Sequence, residues 1–173
     1  MPPVVDEEMV IDVVNDLDEP VGQVKRRNVF EARENFRVVH AFLFNDRGEL
    51  LLQKLSPVRK RHPGYWGSSV AGYLFAGEAY ETAIRRRVQQ ELGVEGSDLR
   101  FAQKTSMDDS GCKKFISLFV GQYGGPLRPD PSQIADVEFL SLDDLRRMRD
   151  DRVRRFTPTF LHLLDAYLSQ RNT

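Results

Sequence analysis

In the run GYLFAGEAYETAIRRRVQQELGV, residues 72 to 94, Arg87, Gln90 and Glu91 stand at i, i+3 and i+4. On a helix they share an arc of roughly 100°. Three carboxylates on that arc would hold Mg2+ or Mn2+, because hard cations take oxygen ligands and bridge to substrate phosphates. Here the arc carries one carboxylate, an amide and a guanidinium. Glu91 is therefore the candidate catalytic residue and metal ligand. Glu78 and Gln90 are further candidates for the metal, although an amide is a weak Mg2+ ligand. The turn from Gly72 to Gly77 would let backbone carbonyls approach an ion. Glu78 and Arg86 lie on other sides of the helix and can tie the loop down as an ion pair.

Arg87 has a second use. A guanidinium on this face could neutralise a phosphate by itself through two parallel hydrogen bonds, and it would repel a second cation. Basic residues recur at Arg59-Lys60-Arg61 and Arg85-Arg86-Arg87. Arg59, Lys54 and Arg87 are the candidate phosphate binders, and Gly72, Trp66 and Tyr73 the candidate pocket walls. Acids that could complete the site from outside the run are Asp108, Asp109, Asp136 and Glu138; spacing alone does not rank them. Cys112, between Gly111 and Lys113, has a loop context that suits a somewhat reactive thiol. A lone cysteine with no defined histidine partner is not evidence of a nucleophile.

These residues need elements to position them. Glu78 to Leu92 reads as a helix, with Ala83, Ile84, Val88 and Leu92 at helical spacing and Gly93 as its stop. Val10–Val14 and Val21–Lys25 flank a turn and read as an N-terminal hairpin, about residues 9–25. Phe36–Phe44 and Glu49–Leu55 are strands around the turn Asn45–Gly48. Ser56 to Pro63 is a loop, and Tyr65–Val70 a strand. Leu99–Met107 and Lys114–Tyr123 are strands separated by Asp108-Asp-Ser-Gly111, and Val137–Leu140 is another. Leu142–Arg149 is a short helix with Ser141 as N-cap, and Phe156–Ser169 a terminal amphipathic helix. Mixed strands with a helix in the middle and helices at the end make an α+β single domain spanning residues 1–173, its core at about 36–145.

The chain has 173 residues, 40% of them hydrophobic, enough for one domain with its own core. Lysine and arginine total 25 against 26 acidic residues, leaving a net charge of −1. That balance argues against a nucleic-acid polymer as partner, while local basic clusters suit a phosphate group. One cysteine excludes a disulfide framework and fits a reducing compartment. No stretch approaches 18 apolar residues, and the acidic start MPPVVDEEMV lacks the basic and apolar regions of a signal peptide. The expectation is a cytoplasmic protein with no membrane partner.

The spacing of Gly72, Glu78, Arg86, Val88, Glu91, Gly93 and Val94 resembles the Nudix box, G-x5-E-x7-R-E-U-x-E-E-x-G-U with U apolar. Arg87 and Gln90 depart from it, at positions where the family normally has metal-binding or catalytic glutamates. The flanks, from Val38 through FNDRGELLLQ to Pro63-Gly-Tyr-Trp66, look like the isopentenyl-diphosphate isomerase branch. That branch also carries Arg-Arg in the box and keeps a single box glutamate. The resemblance covers roughly residues 9 to 145. It implies a Nudix fold, an α/β/α sandwich with a mixed sheet. It also implies a divalent metal, a diphosphate-linked small molecule as partner, and diphosphate contact at Arg59.

The residues of isomerase chemistry are replaced. The cysteine position falls on Ala71, the adjacent histidine on Tyr73, the earlier histidine on Phe36, and the later glutamates fall near Cys112 to Lys114. His40 lies four residues from the metal-ligand position and reads as a strand residue. The resemblance therefore implies a Mg2+-dependent hydrolase of a nucleoside diphosphate or another diphosphate-linked small molecule. Alternatives are a diphosphate-binding or regulatory module without turnover and, third, an isomerase.

Overall fold

The computed structural model describes residues 7–95 and 98–171. The strands are β1 (Val10–Val14), β2 (Pro20–Lys25), β3 (Phe36–Phe44), β4 (Leu50–Leu55), β5 (Trp66–Gly67), β6 (Val70–Tyr73), β7 (Asp98–Asp109), β8 (Cys112–Gln122) and β9 (Ile134–Leu140). The helices are α1 (Tyr80–Leu92), α2 (Leu142–Asp151) and α3 (Pro158–Arg171), and Arg26–Asn28 form a 3-10 turn.

β3 is the axis of a mixed sheet. Along one edge it runs parallel to β8, from Phe36 opposite Lys114 to Phe44 opposite Gln122, and β8 pairs antiparallel with β7. Its other edge is divided. β6 takes Val38 to Ala41, whereas β4 meets β3 only at Phe44 and Leu50. β4 then carries β5 and β9. The sheet thus forks between β4 and β6. Ser69 sits at the fork: its hydroxyl donates to Leu51 O (2.6 Å) and accepts from Leu43 N (2.9 Å).

Side chains alternate across the strands and feed two cores. Phe36, Val38, Phe42, Leu50, Leu52, Ile116 and Leu118 pack with Leu145 of α2 and Phe160, Leu163, Leu164 and Leu168 of α3. Val39, Ala41, Leu43, Leu51 and Phe119 pack with Ala83, Ile84, Val88 and Leu92 of α1. Helices cover both faces of the sheet, so the fold is the expected α+β sandwich in one domain.

β1 and β2 form a separate hairpin that closes on the turn before α1. Val10 O accepts from Ala76 N, and Asp12 Oδ2 from Gly77 N, both at 2.9 Å. Asp18, at the hairpin tip, is buried. It accepts from Arg37 (2.6 Å) and Tyr80 (2.8 Å) and is ion-paired with Lys104.

The structure corrects several sequence readings. Tyr65–Val70 is not one strand, because the inward-turned Ser68 and Ser69 interrupt it between β5 and β6. Asp108 and Asp109 are not in a loop. β7 and β8 continue to a two-residue turn, Ser110 and Gly111, both at positive φ (54° and 88°), as tight hairpins require. Cys112 therefore begins a strand and is fully buried, its thiol directed at Val29 O (3.8 Å). Burial pushes that thiol up, away from reactivity. α1 begins at Tyr80, after Glu78, and α3 at Pro158, with Thr157 Oγ1 accepting from Phe160 N (3.2 Å). The 3-10 turn at Arg26 had no signal in the pattern. Among the described residues no helix is long and apolar enough to cross a membrane. The reading of the acidic N-terminus falls partly on residues 1–6, outside the described residues.

Candidate functional site

The apolar stripe of α1 sets the site. With Ala83, Ile84, Val88 and Leu92 against the sheet, Arg87 and Glu91 fall on the flank of the buried stripe and are themselves inside, at 6% and 2% exposure. Gly93, at φ 67°, ends the helix by turning left-handed, and its N–H returns to Gln89 O (2.9 Å). Glu91 then holds the next segment through its carbonyl, which accepts from Asp130 N (2.9 Å).

Both Glu91 carboxylate oxygens are engaged. Oε1 accepts from Gln53 Nε2 (2.9 Å), and Oε2 accepts from Arg87 Nε (3.0 Å) and lies 2.8 Å from its Nη2. Gln53 comes from β4 across the fork, and its Nε2 also donates to Ser69 O (3.0 Å). Arg87 Nη1 donates to Gln90 Oε1 (3.3 Å), and Nη2 reaches Ala71 O (3.5 Å). Gly72 is the floor under this guanidinium. A Cβ there would overlap Arg87 Nε and stand only 2.8 Å from Cδ and 2.9 Å from Cζ. The glycine expected to admit an ion instead admits an arginine.

Glu78 is held by Arg86 in a two-point ion pair, with both N···O distances 2.8 Å, and it accepts from Phe75 N (3.0 Å). Arg86 also donates to Tyr73 O (3.2 Å) and Gln90 Oε1 (3.2 Å). This clamp ties the turn to the helix, as its spacing suggested. It leaves the Glu78 carboxyl below its ordinary range: burial works upward, but the hydrogen bonds from Arg86 and Phe75 N outweigh it.

Arg59, on the loop after β4, lies within electrostatic reach of Glu91, Arg26, Arg87 and Tyr73. Burial lowers its pKa, Glu91 opposes this, and Arg26 and Arg87 add to it. Among the described residues its guanidinium forms no hydrogen bond or ion pair. Tyr73 stacks on Phe36 (5.4 Å between centroids, 5° between planes), with the Arg26 guanidinium 4.5 Å over its ring. Arg26, from the 3-10 turn, joins the site unforeseen. So does Gln53, which strand alternation places on the α1 side. Lys54, the next residue, alternates to the opposite side from Glu91. Trp66 is core, with Arg154 4.3 Å over its ring.

Of the candidate acids, Asp109 acts electrostatically on Tyr73, but it is claimed by Arg61 (2.6 and 3.2 Å) and Lys114 (2.9 Å). Burial raises its carboxyl pKa, yet Arg61 and Lys114 outweigh this and hold it at about 2. Asp108 and Asp136 are exposed, and Glu138 pairs with Arg154 (2.8 Å). His40 is a buried strand residue, its Nδ1 2.8 Å from Ser68 Oγ. Burial, with help from Lys114, lowers it to about 3, so it is neutral at pH 7.

Comparison with known proteins agrees with this frame. The model of the NUDIX domain matches residues 34–160. The chain belongs to the Nudix family. An isopentenyl-diphosphate delta-isomerase of Paenarthrobacter aurescens is 31% identical over 170 residues, covering 92% of each chain. A Nudix hydrolase of Deinococcus radiodurans is 36% identical over 141 residues, 78% of this chain and 80% of the relative. The crystal structure of DR0079 from the same organism superposes with a TM-score of 0.81 at 29% identity, over 91% of this chain and 98% of that one. The Nudix box thus lies on α1 and its preceding turn, among relatives named both as hydrolases and as isomerases.

Nudix hydrolases generally use a divalent metal such as Mg2+, so the fit of this site to one matters. Among the described residues no three His, Cys, Asp or Glu side chains are grouped to share an ion. Glu78, Gln90 and Glu91 each give their oxygens to arginine or amide donors. The donor set does not fit a carboxylate-held metal.

Proposed function

We propose that this chain is a hydrolase of phosphoric anhydrides that takes a nucleoside diphosphate or another diphosphate-linked small molecule at the fork beside α1. The single observation that carries the reading is the array Arg87–Glu91–Gln53, buried on a Nudix frame with Arg59 alongside. Arg59 and Arg87 supply the positive charge that anhydride oxygens require, and a guanidinium can contact them at two points. When a phosphate takes donors from Arg87, Glu91 Oε2 is released to accept a proton from water that attacks phosphorus, while the P–O bond to the bridging oxygen breaks and the second phosphate leaves as the anion. Gln53 keeps the other carboxylate oxygen in place. No step is assigned to Mg2+ or Mn2+.

Release of phosphate from a panel of diphosphates, with wild type and Glu91→Gln, tests this. Removing the base should lower turnover by a factor of about 10² or more. Turnover that is equal in the two proteins would end the hydrolase reading.

The second reading, a diphosphate-binding module without turnover, is favoured by one observation: Glu91 is already neutralised by Arg87. It takes over if wild type releases no phosphate while a diphosphate raises its melting temperature. Isomerase chemistry has less support, because Ala71, Tyr73 and Phe36 stand where the family resemblance expects its cysteine and histidines.

A further inference from the structure

We propose that the Arg87 guanidinium is a built-in replacement for a divalent cation, so that this site binds no Mg2+ or Mn2+ of its own. Four groups converge on it from two elements: Glu91 Oε2 and Gln90 Oε1 of α1, and Ala71 O and the bare Cα face of Gly72 of β6. A carboxylate, an amide oxygen and a backbone carbonyl are the oxygen ligands a hard cation would take. Here they serve as acceptors for the N–H donors of one side chain. The two box positions where the Nudix pattern has glutamates, 87 and 90, carry the cation itself and one of its acceptors.

Space and charge both exclude an added ion. The volume over Gly72 is filled, since even a methyl group there would overlap the guanidinium. Arg59 and Arg26 bring two more positive charges within reach, whereas the carboxylates here, Glu91 and Glu78, are each paired with an arginine. A dication entering would lose its hydration shell to a site whose carboxylates are already paired. An anion entering instead meets the positive charge of Arg59, whose guanidinium forms no hydrogen bond or ion pair among the described residues. The class of anion rests on the function proposed above; the exclusion of the metal does not.

Mn2+ binding read by the electron paramagnetic resonance of the free aquo ion gives the test without any substrate. Wild type should leave the signal unchanged, whereas Arg87→Glu combined with Gln90→Glu should gain a site and deplete it. Arg87→Ala, which leaves Glu91 in place, is the second variant should the double change fail to fold. It should bind Mn2+ at least about tenfold more tightly than wild type, because the competing cation has gone. Stoichiometric binding by wild type that Glu91→Gln abolishes would overturn the proposal. Melting shifts with inorganic pyrophosphate, in EDTA and in Mg2+, then separate the two claims. Equal shifts in both support the replacement, and a shift only in Mg2+ counts against it. No shift in either removes the diphosphate reading and leaves the Mn2+ result to decide the proposal.

Discussion

Arg87 and Glu91 are one helical turn apart, and on an exposed helix such a pair is worth about 0.3–0.5 kcal/mol. Burial changes the stakes. Removing one partner leaves the other charge uncompensated in the interior, at about 3–5 kcal/mol. Gly72 is coupled to the pair through space. Gly72→Ala should drive the guanidinium off Glu91 and cost about 1–3 kcal/mol in wild type. In an Arg87→Ala background the same change should be nearly silent, with the difference read as a coupling energy in a denaturant double-mutant cycle. Asp109 makes a second residue-scale prediction. Its folded carboxyl, at about 2, lies below the ~3.9 of an unfolded aspartate. Its stabilising contribution is complete above about pH 4 and is lost as pH falls through about 2. The stability gap between wild type and Asp109→Asn, from urea melts, should therefore narrow across that window. Glu91, Arg87 and Arg59 were legible as candidates because helix spacing and charge runs are local facts. Gln53, Arg26 and the engagement of Asp109 were not, since each depends on a strand or turn arriving from elsewhere in the chain.

The most site-specific element, α1, is capped unevenly. Its C-terminus has Gly93 in the left-handed conformation, but its N-cap, Ala79, has an extended backbone (φ −78°, ψ 154°) and no side chain to accept a helix N–H. Ala79→Ser should satisfy one of those donors and stabilise the protein by about 0.5–2 kcal/mol in thermal or urea melts. Ser141 shows the working version on α2, with its Oγ accepting from Asp144 N (3.1 Å). Elements with a strong internal pattern were readable in place. Phe36–Phe44 matches β3, and Ala83, Ile84, Val88 and Leu92 are the buried stripe of α1. The break between β5 and β6 was hidden because Ser68 and Ser69 read as ordinary strand residues until their hydroxyls find partners on β3 and β4.

At the scale of the whole molecule, two cores share one sheet, and the fork in that sheet opens toward α1. The hairpin of β1 and β2 adds nothing to the main sheet, yet it buttresses the turn that carries the box. Its anchor is Asp18, buried and in contact with β3, α1 and β7 at once. Asp18→Ala should cost about 3–5 kcal/mol by removing the close carboxylate of Arg37 and leaving it only Asp12 at 3.9 Å. It should also speed amide exchange in the turn at Ala76 and Gly77 more than in β3, as hydrogen-exchange mass spectrometry would show.

That anchor also has a place in time. Asp18 is synthesised 62 residues before Tyr80, and Lys104 follows later still. Until then the hairpin has Arg37 of β3, 19 residues on, but neither α1 nor β7 to dock on. Closing so long a loop is slow and comes after local contacts have formed. Docking of the hairpin on α1 and β7 is therefore expected after the contacts nearer in sequence have formed.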